Sequence, residues 1–335
     1  MEFYVGTLTR EGGEGILRCK LNGKQLERTG LISGVTDPNY LILRPDGKRL
    51  YAVSSDAEEG PFRGCVNEYD LTAEQPKLIS RQPVSGNAPC HLTLSPDGRY
   101  LYCANYGTGS LTVFPVEAQL QPAVQVIRHE GRGPHPTRQT GPHVHQVTFL
   151  PDSQILCAAD LGTEALYLYD ASPADGYLTL RTTVPLHGGP RHVAYGNEDK
   201  AYLVHELSNE ITVLRIENGA VTPLQTLSTL PEGYEGTNTA AAVRISPRGD
   251  RVYVSNRGHG SIAVFTVENT GLLRLMGHVP AGIFPRDFIL LPEGGYLVAD
   301  QRSGVLLLDE QGETVSFLPQ MGAVCIAPCA DRTVI

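Results

Sequence analysis

The sequence predicts an all-β protein, a β-propeller of seven blades, because one hairpin pattern recurs along the chain and the two ends supply parts of one more. Each repeat is a β-branched-rich apolar run, a tight turn and a second such run, the pattern of a β-hairpin. Six complete copies occupy residues 39–55, 90–106, 145–161, 191–207, 241–257 and 286–301. Their turns align on Pro45, Pro96, Pro151, Asn197, Pro247 and Pro292. The resulting spacings of 51, 55, 46, 50 and 45 residues are typical of propeller blades.

A third strand and a weaker fourth strand are predicted after each hairpin. Third strands are predicted at residues 110–116, 165–171, 210–216 and 261–267. The seventh blade is predicted from both termini, with residues 323–329 as its first strand, 3–7 as its second and 15–21 as its third. Such closure removes exposed sheet edges. Because the repeat continues through the middle of the chain without a linker, we predict one domain over residues 1–335.

Composition narrows the class of protein further. Of the 335 residues, 41% are hydrophobic and 19% charged, which allows a large core and argues against disorder. No apolar run approaches the roughly 20 residues that span a bilayer. The net charge of -9 and the absence of a Lys/Arg block argue against nucleic acid as a partner. Seven scattered cysteines without a CxxC pair, and an N-terminus without a secretory signal, predict a cytoplasmic protein.

The register of the repeat also predicts a functional site. The start position, six residues before each turn anchor, holds Asn39, Cys90, His145, Arg191, Ala241 and Arg286. The end position, nine residues after the anchor, holds Ser54, Asn105, Asp160, Glu206 and Asn256, with Asp300 one residue earlier. Because the two strands of a hairpin are antiparallel, both positions should lie at one mouth of the central channel. Ionisable residues that interrupt a repeat are candidates for function.

The ionisable candidates at these positions include His145, Arg191, Arg286 and Glu206, and Arg257 directly follows the end-position residue Asn256. A carboxylate beside arginines has a lowered pKa, which suits a general base. Structural alternatives stay open. They are a hydrogen-bonded structural histidine, an Arg191–Glu206 salt bridge across one hairpin, and a solvated Arg257.

Residues 131–145 form the longest departure from the repeat. The segment contains Arg132, His135, Arg138, His143 and His145 and no acid. In an acidic protein such a cationic segment suits an anionic ligand, although an ordinary connecting loop is the alternative. Predicted substrate-binding residues are Arg138, His143, Arg286 and Asn105. Arg286 could instead pair with Asp287.

Zinc binding is a third interpretation of the histidines. His143, His145 and Glu206 could together bind zinc, but nothing else in the sequence requires it. We therefore predict neither a metal nor a cofactor.

At these residues the chain resembles the seven-bladed propeller lactonase family, which includes bacterial cytoplasmic 6-phosphogluconolactonases and fungal carboxymuconate cyclases. The resemblance extends over essentially the whole chain. Its most specific segments are residues 131–147, 189–195, 238–265 and 285–290. The family site of a histidine, a glutamate and arginines corresponds to His145, Arg191, Glu206 and Arg257.

The resemblance implies hydrolysis of a small anionic lactone, above all 6-phospho-D-glucono-1,5-lactone to 6-phosphogluconate of the pentose phosphate pathway. Glu206 or His145 would be the general base, Arg191 and Arg257 would stabilise the oxyanion or hold the charged group, and Arg138, His143 and Arg286 would bind phosphate. Two alternatives stay open. One is a muconate-type cyclase or isomerase, and the other is a non-enzymatic propeller that binds a partner protein.

Overall fold

The computed structural model describes residues 1–55, 63–197 and 199–329. Within these ranges, β1 to β28 form seven four-stranded antiparallel sheets. The helical segments of the described residues are two short 3-10 helices, Thr9–Glu11 and Tyr106–Thr108. None of the helices described there has the length and apolar character needed to cross a membrane. The protein is thus an all-β, seven-bladed propeller, as the repeat predicts.

The terminal strands share one blade, which we call blade 7. It is formed by β1 (Glu2–Thr7), β2 (Ile16–Asn22), β3 (Gln25–Ile32) and β28 (Ala323–Pro328), in the order β28-β1-β2-β3. The pairing of β1 with β28 runs from Phe3↔Pro328 to Thr7↔Ala323. This confirms that the C-terminal segment supplies the first strand of a blade whose other strands come from the N-terminus.

The other blades follow the order of the chain. Blade 1 is formed by β4 (Leu41–Leu43), β5 (Arg49–Ser54), β6 (Cys65–Asp70) and β7 (Lys77–Pro83). Blade 2 is formed by β8 (Pro89–Leu94), β9 (Tyr100–Asn105), β10 (Ser110–Pro115) and β11 (Gln125–Arg128). Blade 3 is formed by β12 (Val144–Phe149), β13 (Ile155–Asp160), β14 (Ala165–Ala171) and β15 (Leu178–Pro185).

The second half of the chain continues the pattern. Blade 4 is formed by β16 (Pro190–Tyr195), β17 (Lys200–His205), β18 (Glu210–Glu217) and β19 (Ala220–Ser228). Blade 5 is formed by β20 (Thr239–Ile245), β21 (Arg251–Arg257), β22 (Ser261–Val267) and β23 (Leu273–Pro280). Blade 6 is formed by β24 (Pro285–Leu290), β25 (Tyr296–Asp300), β26 (Gly304–Leu308) and β27 (Thr314–Pro319).

The chain divides into two compact units. One contains Met1–Ser33 with His192–Ile335, and the other contains Gly34–Arg191. In the first unit the core clusters are centred on buried residues such as Phe3, Phe265 and Phe288. In the second they are centred on residues such as Tyr51 and Tyr102. One domain over residues 1–335 stays a prediction.

Second strands are buried on both faces, whereas fourth strands are largely exposed. All six residues of β9 are buried, and its sequence YLYCAN is accordingly apolar almost throughout. By contrast, β15 exposes most of its residues and contains threonine and arginine. Burial of the inner strands explains why the hairpins dominate the sequence pattern and the fourth strands are weak in it.

A β-bulge interrupts the first strand of several blades at the start position. Pro89 pairs with Asn105 but His91 pairs with Ala104, so Cys90 is the extra residue. The same shift makes His145 the extra residue of β12 and Arg286 the extra residue of β24. In β20 a related irregularity contains Ala241 and Ala242. The paired residues confirm that the start and end positions lie at the same end of each of these sheets. Bulges re-aim side chains and are common next to functional sites.

Candidate active site

End-position residues with short side chains form hydrogen bonds with nearby loops and strands. The carboxylate of Asp160 is fully buried, and its Oδ1 accepts hydrogen bonds from the N–H groups of His143, Gly162 and Thr163 at 2.8, 2.9 and 3.1 Å. Its Oδ2 lies 2.6 Å from Nδ1 of His129. A buried carboxylate needs such partners, and these fix the segment that leads into β12.

The amide of Asn105 has a similar structural role. Asn105 is fully buried, and its Nδ2 donates to the hydroxyls of Ser110 at 3.2 Å and Thr112 at 3.0 Å. Both hydrogens of this amide are therefore engaged within blade 2. The role of Asn105 in substrate binding stays a prediction.

Glu206 differs from these residues in its partner. It follows β17 directly and is buried, and its Oε2 lies 2.8 Å from Nη2 of Arg257. The guanidinium of Arg257 also donates to the backbone carbonyls of Thr239 at 3.3 Å and Ala240 at 3.2 Å. Two of the four predicted catalytic residues are thus brought together as a buried ion pair.

An aromatic ring joins this ion pair to a second arginine. The guanidinium carbon of Arg257 lies 5.7 Å from the ring centroid of Phe284, and that of Arg302 lies 4.4 Å from the same centroid. Both distances are within the range of cation–π interactions. Sequence reasoning missed Phe284 and Arg302. The repeat contained a signal for Arg302, because it closely follows an end-position residue, as Arg257 does.

Arg286 lies on the bulge of β24 and donates from Nη1 to Oε1 of Gln301 at 3.1 Å. Nε2 of Gln301 in turn donates to Glu11 at 2.7 Å. Asp287 is the alternative partner that the sequence offers for Arg286. The carboxylate of Asp287 accepts hydrogen bonds from Arg244 and from the N–H of Ile326.

In the second unit, Tyr106 is the centre of a cluster of predicted residues. Its ring stacks on His143 with centroids 4.5 Å apart and meets the ring of His145 edge-on at 5.5 Å. The hydroxyl of Tyr106 accepts a hydrogen bond from Nη2 of Arg138 at 3.3 Å. Tyr106 directly follows the end-position residue Asn105. Its signal in the sequence is weak because an uncharged ring does not stand out against the repeat.

The cationic segment is held in place by a buried amide. Gln139 is 1% exposed. Its Oε1 accepts a hydrogen bond from the N–H of His135 at 2.9 Å, and its Nε2 donates to the carbonyl of Leu161 at 2.8 Å and to Oε1 of Glu164 at 3.2 Å. These bonds give the segment that contains Arg138 a defined conformation.

The carboxylate of Glu164 anchors this arrangement. Burial raises its pKa, but hydrogen bonds from His187, the N–H of Gly188 and Gln139 outweigh burial and hold the pKa below the ordinary value of 4.5. The bond from Gly188 is 3.0 Å long, and that from Nδ1 of His187 is 2.9 Å long.

Substitution Glu164→Gln is expected to remove a pH-dependent part of the stability. Because the pKa of Glu164 is lowered on folding, its contribution is fully present above the ordinary pKa and is lost as the pH falls through the lower folded-state pKa. The free energy of unfolding, measured in urea from about pH 3 to about pH 6, should therefore differ most between wild type and variant at the upper end. A difference that is constant over this range would contradict the assignment.

Arg191 lies in β16 and is 2% exposed, so its charge is buried as expected of a residue with defined partners. The predicted pairing of Arg191 with Glu206 stays a prediction. Within the part of the chain that the structure describes, no group of three or more His, Cys, Asp or Glu side chains could hold a metal ion. A site without metal or cofactor stays a prediction as well.

Fold and sequence together define the class of this protein. The family described as "Lactonase, 7-bladed beta-propeller" matches residues 2–311, and the chain belongs to that family. It is therefore an enzyme of the lactone hydrolase class.

Individual relatives agree with this class. The chain is 34% identical over 343 residues to the 6-phosphogluconolactonase of Bacillus subtilis, covering 97% of this chain and 96% of the relative. It superimposes with a TM-score of 0.85 on the periplasmic gluconolactonase of Pseudomonas aeruginosa, at 32% identity and with 98% and 97% of the two chains covered. A putative 6-phosphogluconolactonase of Bacteroides fragilis gives a TM-score of 0.84 at 28% identity, with 97% of each chain covered. All three relatives are named as gluconolactonases. The names of the B. subtilis and B. fragilis relatives specify a 6-phospho group, and that of the P. aeruginosa relative does not.

Proposed function

We propose that the protein hydrolyses 6-phospho-D-glucono-1,5-lactone to 6-phosphogluconate, with Glu206 and Arg257 at the centre of the reaction. One observation carries the residue assignment: blades 3 and 6 use the end-position carboxylate to bind backbone amides, whereas Glu206 faces a buried guanidinium at 2.8 Å. The substrate is that for which the B. subtilis relative is named.

In this mechanism the carboxylate of Glu206 takes a proton from a water molecule as the water oxygen attacks the lactone carbonyl carbon. Arg257 stabilises the negative charge that develops on the carbonyl oxygen. The tetrahedral intermediate then breaks its bond to the ring oxygen, which takes the proton from Glu206 and becomes a hydroxyl. The net change is addition of one water, and the new carboxylic acid ionises in solution. General base catalysis supplies about 10²–10⁴-fold and a well-placed oxyanion donor about 10²–10³-fold.

The remaining predicted residues have supporting roles in this proposal. His145, on the bulge of β12, is the alternative general base, and Arg191 is a second donor for the oxyanion. Arg138, His143, Arg286 and Asn105 are proposed to contact the substrate. In support, Tyr106 holds Arg138, His143 and His145 in one cluster.

A cytoplasmic location is part of the proposal. All seven cysteines lie within the described residues and none of them is in a disulfide bond, a pattern typical of a reducing compartment. The P. aeruginosa relative is described as periplasmic, so location needs its own test by cell fractionation.

The substrate assignment is tested by offering the purified protein two substrates in parallel. We expect conversion of 6-phosphogluconolactone to 6-phosphogluconate, followed by NMR, and no ring closure of a carboxymuconate. Lactone formation from the muconate without hydrolysis of the phosphorylated lactone would identify a cyclase and overturn the proposal.

A further inference from the structure

The guanidinium of Arg302 is positioned by an aromatic ring. The group lies over the ring of Phe284, with the guanidinium carbon 4.4 Å from the centroid. Among residues 1–55, 63–197 and 199–329, no side chain or carbonyl forms an ion pair or hydrogen bond with this guanidinium. Its hydrogen-bond donors are therefore available to a ligand.

The backbone beneath this pair is fixed by one buried acid. Oδ2 of Asp300, which is fully buried, accepts hydrogen bonds from the N–H groups of Ile283 and Phe284, each at 2.6 Å. Oδ1 accepts from the N–H of Arg302 at 2.9 Å. The carboxylate of Asp300 thus holds the backbone at both Phe284 and Arg302, whose side chains stack on each other. Its negative charge is stabilised by these backbone N–H groups. Arg302 is presented by a rigid support rather than by a loose loop.

The ring of Phe284 also relates Arg302 to the proposed catalytic pair. Because Arg257 lies 5.7 Å and Arg302 lies 4.4 Å from the same centroid, their guanidinium carbons are at most about 10 Å apart. Arg257 is buried; it forms an ion pair with Glu206 and donates hydrogen bonds to two backbone carbonyls. Arg302 is the exposed member of the pair. One ring therefore carries a buried cation beside the proposed base and an exposed cation with available donors.

We propose that Arg302, held over Phe284, binds the phosphate group of the substrate and makes the enzyme selective for phosphorylated over unphosphorylated sugar-acid lactones. This inference rests on the proposed function and adds its specificity determinant. A guanidinium presents paired N–H donors that match two oxygens of a phosphate, and a dianion gains more from it than a neutral hydroxymethyl group does. A phosphorylated six-carbon lactone is long enough to place its carbonyl near Arg257 and its phosphate near Arg302.

The decisive experiment compares kcat/KM for 6-phosphogluconolactone and for unphosphorylated gluconolactone in wild type and Arg302→Gln. We expect the variant to lose about 10- to 100-fold on the phosphorylated lactone, the range of a charge-assisted hydrogen-bonded pair, mainly through a higher KM. Activity on the unphosphorylated lactone should change by less than about twofold. Arg302→Lys keeps the charge without the paired donors and should recover part of the loss.

Arg274→Gln is the matched control, because Arg274 is another exposed arginine of the same unit. Its side chain is 63% exposed, and its Nε lies 3.7 Å from Oε1 of Glu268 on the surface. It removes the same charge and should leave the ratio of the two kcat/KM values unchanged. An equal loss on both lactones in Arg302→Gln, or no loss on either, would overturn the proposal. A selective loss in Arg138→Gln instead would assign phosphate recognition to the cationic segment.

Binding separates this inference from the proposed reaction. Isothermal titration with 6-phosphogluconate and with gluconate measures selectivity for the phosphate without turnover. We expect wild type to prefer 6-phosphogluconate and Arg302→Gln to lose that preference. If wild type shows the preference but hydrolyses neither lactone, the reaction assignment fails while phosphate recognition stands. If the variant retains the full preference, the inference about Arg302 fails.

Discussion

Glu206→Gln is expected to lower kcat for lactone hydrolysis by about 10²–10⁴-fold, because the amide cannot accept the proton of the attacking water. The substitution preserves the shape of the side chain, so KM should change little. Steady-state kinetics on 6-phosphogluconolactone, corrected for spontaneous hydrolysis, measures the effect.

Two further variants make this result specific. Glu268→Gln removes an exposed carboxylate, 47% exposed, and should retain wild-type kcat. His145→Gln tests the alternative base. If Glu206→Gln remains within about twofold of wild type and His145→Gln loses 10²-fold or more, the general base is His145.

Asp287→Ala is expected to lower the free energy of unfolding by about 3 kcal/mol. The carboxylate of Asp287 in β24 accepts a hydrogen bond from the guanidinium of Arg244 in β20. It also accepts one from the N–H of Ile326 in β28, at 3.0 Å. It also accepts from the N–H of Phe288 at 2.9 Å. Alanine leaves a largely buried guanidinium and two buried amides without this acceptor.

Denaturant unfolding of wild type and variant measures the loss. Glu268→Ala, which removes a surface ion pair, should change the free energy of unfolding by no more than about 0.5 kcal/mol. A loss below about 1 kcal/mol in Asp287→Ala would mean that Asp287 does not link the first strands of blades 5, 6 and 7 as described.

Much of the fold could be predicted from the sequence because the hairpins carry two independent signals. The inner strands are largely apolar, and in four of the six hairpins the turn contains a proline followed two residues later by a glycine. The bulges at Cys90, His145 and Arg286 could not be predicted. A bulge adds one residue without changing the turn chemistry or the composition of the strand, so only the pairing of the two strands reveals it.

Part of the geometry of the candidate site could be predicted from the sequence, for a related reason. The repeat register identified Glu206 and, next to an end position, Arg257, which form one ion pair. The same register holds Asp160 and Asp300, whose shorter side chains reach neighbouring backbone amides. Position in the repeat gives the place of a side chain, and side-chain length and neighbours decide its role. Tyr106, Phe284 and Arg302 act through ring contacts that a pattern of charges does not show.

The rate of 6-phosphogluconate formation in the presence of the purified protein tests the account most directly. It is measured by coupling the product to a dehydrogenase that reduces a nicotinamide cofactor. We predict a rate proportional to protein concentration and clearly above that of spontaneous hydrolysis, because one general base alone contributes about 10²–10⁴-fold. A rate equal to that of the lactone in buffer would contradict the account.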